Sequence, residues 1–277
     1  MSPFENSRIK PQNPVKYSID LQEREVKPLL AEERRKKILV KLSKEGQVLS
    51  TDLVRELDVS EDTVRRDLKE LADARLLKKV HGGAMAMTTV PYDYSARQDL
   101  NVEEKSQIAR RSVSLIRTGM LIFVDGGTTT IPLAAHLPAD FKGTFVTHSL
   151  PTATALASLH QSEVILLGGK LVPDLLLTTG PAQISEAKQF KPDLSIVSVH
   201  GLTAAAGATV ENYDDAIIKR TFIQNSAEVA VLAGHEKIGF VASYLVADLS
   251  DVSYLISDAD EEKLQQFADS GVTVWYT

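Results

Sequence analysis

The chain reads as an N-terminal winged helix-turn-helix, α with a small β wing, joined to an α/β effector domain with a mostly parallel sheet. Three observations predict this. The stretch SEDTVRRDLKELADARLLKKVHGGA, Ser60 to Ala84, is a capped amphipathic helix followed by a basic hairpin. From Glu103 onward, short apolar runs alternate with helical stretches, the rhythm of strands buried on both faces. The length of 277 residues also exceeds what one small core organises.

The bulk composition sets bounds. Hydrophobic residues make up 43% of the chain, enough for buried cores and against global disorder. There is no cysteine, so disulfides and thiolate metal sites are excluded and a reducing compartment fits. The start, Met1-Ser2-Pro3-Phe4-Glu5-Asn6, lacks the basic and apolar regions of a signal peptide. Apolar runs such as Met120 to Val124 are too short to span a bilayer, so a cytoplasmic protein with no membrane partner is expected. The net charge is -6, yet residues 31–84 hold 13 Lys and Arg against 11 Asp and Glu. Such a mild basic excess leaves DNA binding to be argued from placement.

Residues 1–30 contain Pro3, Pro11, Pro14 and Pro28 and predict a flexible tail. Its Arg8, Lys10 and Lys16 could touch a phosphate backbone or simply be solvated. From 31 to 84 a DNA-binding domain is expected. Ile38, Leu39 and Leu42 fall at helical spacing behind Arg34-Arg35-Lys36-Lys37, and that helix ends before Gly46. Ser50 is the expected N-cap of a second helix that turns Leu53, Val54 and Leu57 inward, with Asp52 near its positive end. Ser60 caps a third helix with Glu61 and Asp62 in its first turn. There Val64, Leu68 and Leu71 form one stripe, leaving Arg65, Arg66 and Lys69 off it. Leu76 to Val80 predicts a strand, with His81-Gly82-Gly83 as its exit.

Residues 85–101, with Pro91 and two tyrosines, read as a linker, and 102–277 as an effector-binding and oligomerisation domain. A helix is expected over 103–117. Strands are expected at 120–124, 144–147, 164–167, 194–199, 229–233, 252–256 and 272–275. Helices between them include 152–159, 215–224 and 261–269.

In the third helix, an arginine entering the major groove can donate two hydrogen bonds to guanine N7 and O6. Arg65 and Arg66 suit that role, with Ser60 and Thr63 able to reach phosphate or a base edge. Lys78 and Lys79 on the wing suit phosphate, a contact that positions without reading sequence. Lys69 and His81 complete the candidate DNA face. The plain alternative is a solvated helix in which Arg66 pairs with Asp62 or Glu70.

In the second domain, Asp125-Gly126-Gly127-Thr128-Thr129-Thr130 follows a buried strand and is expected to open a helix. Glycines there let backbone N–H groups approach an anion, the helix start adds positive potential, and threonine hydroxyls add donors. A tight turn with threonine caps is the structural alternative. No glycine stands five residues before Gly169-Lys170, so this is not a nucleotide-triphosphate loop.

Glu33 to Ala84 resembles the DeoR family of bacterial transcription regulators. The match rests on Gly46, Val48, Leu53, Leu57, Val59-Ser60, Thr63-Val64-Arg65-Arg66-Asp67-Leu68, Leu71 and His81-Gly82-Gly83-Ala84. Ala74 stands where a glycine is usual before the wing. The resemblance continues at Asp125, Gly127-Thr128-Thr129, Thr147 with Ser149, Gly168-Gly169, Gly201, Gly207, Tyr213 with Lys219, and Lys237 with Gly239. It implies an effector domain similar to ribose-5-phosphate isomerase that binds a phosphorylated sugar. Gly126 (serine is frequent), His148 (usually asparagine), Asp215 (usually glutamate) and Gly234 (usually aspartate) depart from the family pattern. These departures cluster at ligand positions.

The resemblance implies a sequence-specific repressor of a carbohydrate catabolic operon. Its partners would be double-stranded operator DNA and a phosphorylated sugar, and the assembly a homodimer or homotetramer. The candidate effector residues are Asp125, Gly126, Gly127, Thr128, Thr129, Thr130, Thr147, His148, Ser149, Gly168, Gly169, His200, Gly201, Asp215, Lys219 and Lys237. Lys219 and Lys237 could pair with phosphate or carboxylate, or be solvated. His200 and His235 could donate to a sugar, or be ordinary loop histidines. No cofactor and no metal are expected. The alternative is a sugar-phosphate isomerase-like enzyme with an attached DNA-binding domain. Aldose–ketose exchange needs a base beside the carbonyl, and Ser198-Val199-His200-Gly201 offers no carboxylate there. Binding without turnover is the expectation.

Overall fold

The computed structural model describes residues 30–74, 76–86 and 90–277. The tail expected over residues 1–29 lies outside the described residues. No helix of the described residues is long and apolar enough to cross a membrane.

Helix α1 (Ala31–Glu45) stops at Gly46, whose φ of 73° is left-handed and whose N–H bonds the Leu42 carbonyl. A strand not foreseen in the sequence follows, β1 (Gln47–Leu49), before α2 (Ser50–Leu57). Ser50 is therefore the first helical residue and not the cap. Its N–H is taken by the Gly82 carbonyl at 2.7 Å. Pairing of β1 with the wing, which buries Val48, extends the strand to Leu49 and leaves Leu49 at the cap position.

Ser60 does cap α3 (Glu61–Asp73), its hydroxyl accepting from the Thr63 N–H at 3.2 Å. Val64, Leu68 and Leu71 are buried against Ile38, Leu42, Leu53 and Leu57, as the stripe predicts. Asp67 is buried between them and receives Arg34 Nε at 2.6 Å, tying α3 to α1. The wing is a hairpin of β2 (Lys78–Val80) and β3 (Gly83–Met85), in a sheet of order β1-β3-β2. Gly82, with φ 78°, makes the turn.

The stretch expected as a linker contains a short helix, α4 (Tyr94–Gln98), with Tyr94 and Arg97 buried. Then come α5 (Val102–Ser112), β4 (Leu121–Val124), α6 (Leu133–His136), β5 (Thr144–Thr147), α7 (Leu150–Leu156) and β6 (Glu163–Leu166). A hairpin of β7 (Lys170–Val172) and β8 (Leu177–Thr179) and the helix α8 (Pro181–Ala187) precede β9 (Leu194–Ser198). Next are β10 (Gly201–Thr203), β11 (Gly207–Val210), α9 (Tyr213–Asn225), β12 (Glu228–Leu232) and β13 (Tyr244–Ala247). Last come β14 (Tyr254–Ser257), α10 (Glu261–Ala268) and β15 (Thr273–Tyr276).

Seven strands form one parallel sheet in the order β15-β14-β12-β9-β4-β5-β6. Successive residues of β4 serve opposite faces: Phe123 joins Val197, Phe222 and Val231, while Ile122 and Val124 join Ile108, Phe145 and Leu232. That is why the strands read as continuous apolar runs. From β4 the chain runs outward to β5 and β6, then returns to lay β9 on the other side of β4. Strand order reverses between β4 and β9, and the carboxyl ends of strands at such a switch point open a crevice.

The helix expected to open at the Asp125–Thr130 turn does not. The residues stay in a turn and α6 begins only at Leu133, with four residues. Thr130 explains the turn, since its hydroxyl donates to the Asp125 and Gly127 carbonyls at 2.7 and 2.8 Å. A three-stranded antiparallel sheet, β10-β11-β13, lies outside the sequence expectation because its strands are three or four residues long.

Candidate functional site

On the DNA-reading unit, Arg65, Arg66, Lys69, Lys78, Lys79 and His81 are all exposed. Ser60 and Thr63 hold each other at the helix start, Oγ to Oγ1 at 2.9 Å. Arg65 pairs with Asp62 one turn back, and both are largely exposed. Arg66 has no ion pair among the described residues, contrary to the pairing a solvated surface helix would show. Lys78 Nζ approaches Ser243 Oγ of the second unit at 3.4 Å, and that hydroxyl donates to Glu211.

At the switch point, β4 and β9 are stitched by Asp125. Its Oδ2 accepts from the Ser198 N–H and hydroxyl, each at 2.9 Å, and from Lys219 Nζ at 3.1 Å. Lys219 also reaches Asp215 at 2.9 Å and the Ser198 carbonyl at 3.1 Å. His148 Nε2 lies 3.3 Å from Asp215 Oδ1 and 3.9 Å from Asp125 Oδ1. All four side chains are buried. Burial would raise the Asp215 pKa, but Lys219 and then His148 outweigh it and hold the carboxyl well below its usual range. Burial likewise opposes the charge on Lys219, but Asp125 and Asp215 overcome it and raise its pKa. Donor atoms of Asp125, His148 and Asp215 lie within 4.8 Å of one another, a spacing that could hold a metal ion. The Lys219 ammonium already supplies the positive charge that such an ion would bring.

Alongside lies a cavity of about 150 Å³, lined by Arg97, Asn101, Lys105, Thr128, Glu236 and Lys237, with Val90, Pro91 and Leu100. Its three cations are buried, and among the described residues none makes an ion pair. Lys105 Nζ donates to the Arg97 carbonyl at 2.6 Å, and Lys237 Nζ to Thr129 Oγ1 at 3.0 Å. Burial lowers the pKa of each. Lys237 falls to about 8, with Glu236 resisting and Arg97, Lys105 and Lys219 adding to the fall. The cavity therefore concentrates three cations against one lining carboxylate, Glu236, an excess of positive charge. Asn101 is also the N-cap of α5 and makes no side-chain cap bond, so the positive end of that helix adjoins the cavity wall.

The sequence-derived candidates divide accordingly. Thr128 and Lys237 line the cavity, and Thr129 holds Lys237. Asp125, His148, Asp215 and Lys219 form the buried cluster. His200 is buried with no partner on either ring nitrogen. Gly126 and Gly127 serve packing: a Cβ on Gly126 would strike Leu177 and Ser149, and one on Gly127 would strike Ser198. Thr147 accepts from the Ser149 N–H, and Ser149 caps α7. Gly168 and Gly169 are exposed and are not among the cavity's lining residues. Gly201 leaves room for the Phe240 backbone. His235 is half exposed and bonds Asp258 at 2.7 Å.

Sequence reading missed Arg97, Asn101, Lys105 and Glu236. The signal lay in Asn101 and Lys105, four apart at a helix start, but charged residues there read as a solvated face. For Glu236 the signal was Gly234, whose bare Cα leaves space for the Glu236 carboxylate.

Residues 34–90 match a family model described as the DeoR-like helix-turn-helix domain, and residues 100–259 one described as the DeoR C-terminal sensor domain. The chain is 33% identical over 229 residues to the HTH-type transcriptional repressor GlcR of Bacillus subtilis, covering 82% of this chain and 88% of that protein. It is 31% identical over 228 residues to the glycerol-3-phosphate regulon repressor of Escherichia coli, covering 82% and 90%. Among solved structures it is similar to the full-length sorbitol operon regulator SorC of Klebsiella pneumoniae, with TM-score 0.41 and 13% identity over 83% of this chain and 98% of that one.

Proposed function

The chain belongs to the DeoR family of transcription regulators, and on that premise we propose a repressor whose hold on operator DNA is controlled by a phosphorylated sugar or polyol. The observation that carries the effector reading is the set Arg97, Lys105 and Lys237: three buried cations around one cavity, with no ion pair among the described residues. An isolated buried cation is costly, and a dianionic phosphate is the complement that would offset three. The relatives' names support the same class, since one represses a glycerol-3-phosphate regulon.

Arg65 and Arg66 read the major groove, and Lys79 takes phosphate from the wing. A symmetric homodimer, or a tetramer of such dimers, presents two reading helices to a palindromic site. The effector domain binds without turnover. Both cluster carboxylates, Asp125 and Asp215, are paired with the Lys219 ammonium, which weakens a carboxylate as a base.

The test is fluorescence anisotropy of the full chain on its own upstream DNA, against an unrelated duplex at matched salt. Preference for the upstream duplex, relieved by a sugar phosphate, supports the reading. Equal weak binding to both duplexes, with interconversion of an added sugar phosphate, would replace it with the isomerase.

A further inference from the structure

Strand β6 ends the parallel sheet, and among the described residues no strand pairs with its outer edge. Its sequence, Glu163-Val164-Ile165-Leu166, carries the continuous apolar run of a strand buried on both faces. The chain covers it only in part. Val164 leans on one core cluster and Ile165 on the other, both half-buried, and Leu166 is 45% exposed. Five residues on, Leu171 of β7 is 41% exposed. Native sheets blunt a free edge with proline, lysine or a bulge, because its N–H and C=O groups are open to another strand. The pairing of β6 with β5 runs without a bulge, and its one charged residue is Glu163, at the first position.

Between the two leucines stands Gly168. A Cβ there would meet nothing within 4 Å, and its φ is not left-handed. Every other glycine of the chain has either a left-handed φ or a neighbour within reach of a Cβ. Neither backbone conformation nor packing within the chain therefore requires a glycine at 168. A bare Cα beside an apolar edge does let a second backbone approach closely.

We infer that the segment from Glu163 to Lys170 is the docking surface for a second copy of this chain, β6 against β6 in antiparallel pairing about a two-fold axis. This rests on the homodimer reading and names its surface. The charges select a second copy as the occupant. Glu163 and Lys170 stand exposed at opposite ends of the segment, and neither makes an ion pair among the described residues. A two-fold axis through the middle turns one copy end for end, so Glu163 meets the partner subunit's Lys170 and Leu166 lies near the axis. Identical edges in antiparallel pairing also satisfy each other's free backbone groups, and the symmetry closes the contact at two subunits. On the opposite edge, β15, the half-buried Trp275 is already covered from within the chain. The Arg111 guanidinium lies 4.7 Å from its ring centre, and Tyr254 packs against the same ring.

The chain has no cysteine, so one introduced thiol reports one contact. On oxidation of the full chain, Leu166→Cys should give a disulfide-linked dimer in high yield. Tyr276→Cys, 43% exposed on β15, is the control that should remain uncrosslinked. In sedimentation equilibrium, Leu166→Lys places like charges across the axis and should weaken the dimer at least about tenfold. Gly168→Gln should weaken it as well while keeping the wild-type circular dichroism spectrum, since the new side chain meets nothing in its own chain. No cross-link from Leu166→Cys, an equal yield from Tyr276→Cys, or wild-type association in either other variant would overturn the surface, while a dimeric wild type kept the homodimer reading standing. The cross-link decides even where Leu166→Lys fails to fold. A wild-type chain that stays monomeric would fail the homodimer reading itself and take this surface with it.

Discussion

Lys237 lines the cavity, and three residues later Phe240 packs against the core of the helix-turn-helix. The segment between them is tightly held. The Gly239 N–H bonds the Leu202 carbonyl at 2.9 Å, and the bare Cα of Gly201 leaves room for the Phe240 carbonyl. A Cβ on Gly46, at the end of α1, would strike Thr203 and come within 2.9 Å of the Gly239 oxygen. An anion that draws Lys237 toward itself therefore pulls on a segment whose far end is seated in the DNA-reading unit. Coupling needs a ligand to favour one of two arrangements of such an element. Phe240→Ala should keep effector affinity near wild type and bring the ratio of operator affinities with and without effector toward one. Calorimetry and anisotropy on the same preparation check both halves, and an unchanged ratio would remove Phe240 from the route.

Asp67 ties α3 to α1 within the DNA-reading unit. It is buried and receives Arg34, with Arg35 3.4 Å away. Removing one member of a buried pair leaves the other charge unpaired, at about 3–5 kcal/mol. Asp67→Ala should lose about 3 kcal/mol of the unit's stability, read by chemical denaturation followed by circular dichroism. Pairing Asp67→Leu with Arg34→Met should recover most of it, because neither charge then remains to be solvated.

Much of this was legible in the sequence, for identifiable reasons. Helix α3 was readable because its cap, its stripe of Val64, Leu68 and Leu71 and its basic face all agree. The parallel strands were readable because burial on both faces makes them uniformly apolar. The cationic cavity was only half readable. Its strand-end residues, Thr128 and Lys237, sit in glycine-rich turns that draw the eye. Arg97 and Lys105 sit in a stretch of ordinary surface composition, and tertiary packing alone buries them. Ser50 misled for the same reason: a good capping residue was overruled by a three-residue strand that local sequence does not announce.

On DNA, Arg66 is exposed without an ion pair among the described residues, and Arg65 carries only an exposed pair with Asp62, which costs little to break. Either arginine replaced by alanine should cost about 1–3 kcal/mol at the operator and blur preference at one base position. Lys79→Ala should weaken every duplex alike and reduce the salt slope by roughly one. Lys78→Ala should change the slope less, since its ammonium leans toward Ser243. Binding titrations at four salt concentrations on specific and unrelated duplexes separate these effects. Operator selectivity left intact after replacing both arginines would show that α3 is not the reading helix.

The pH dependence of effector binding follows from Lys237, whose pKa burial lowers to about 8. A lysine with a lowered folded-state pKa destabilises the folded state while charged. That cost is fully present below about pH 8 and is relieved as pH rises toward its unfolded value of about 10.4. The charged form is the one an anion needs. A phosphate monoester becomes dianionic above about pH 6, so affinity should peak between about pH 6 and 8. Above that it should fall by up to about tenfold per unit, one proton being linked to binding. Lys237→Met should flatten the alkaline limb and weaken binding at pH 7. It should also raise the thermal midpoint of the ligand-free protein, because one of three mutually repelling buried cations is gone. Higher stability together with lost binding is the signature of a residue kept for its ligand. A variant that binds weakly and also melts lower would assign Lys237 to the fold, through its bond to Thr129.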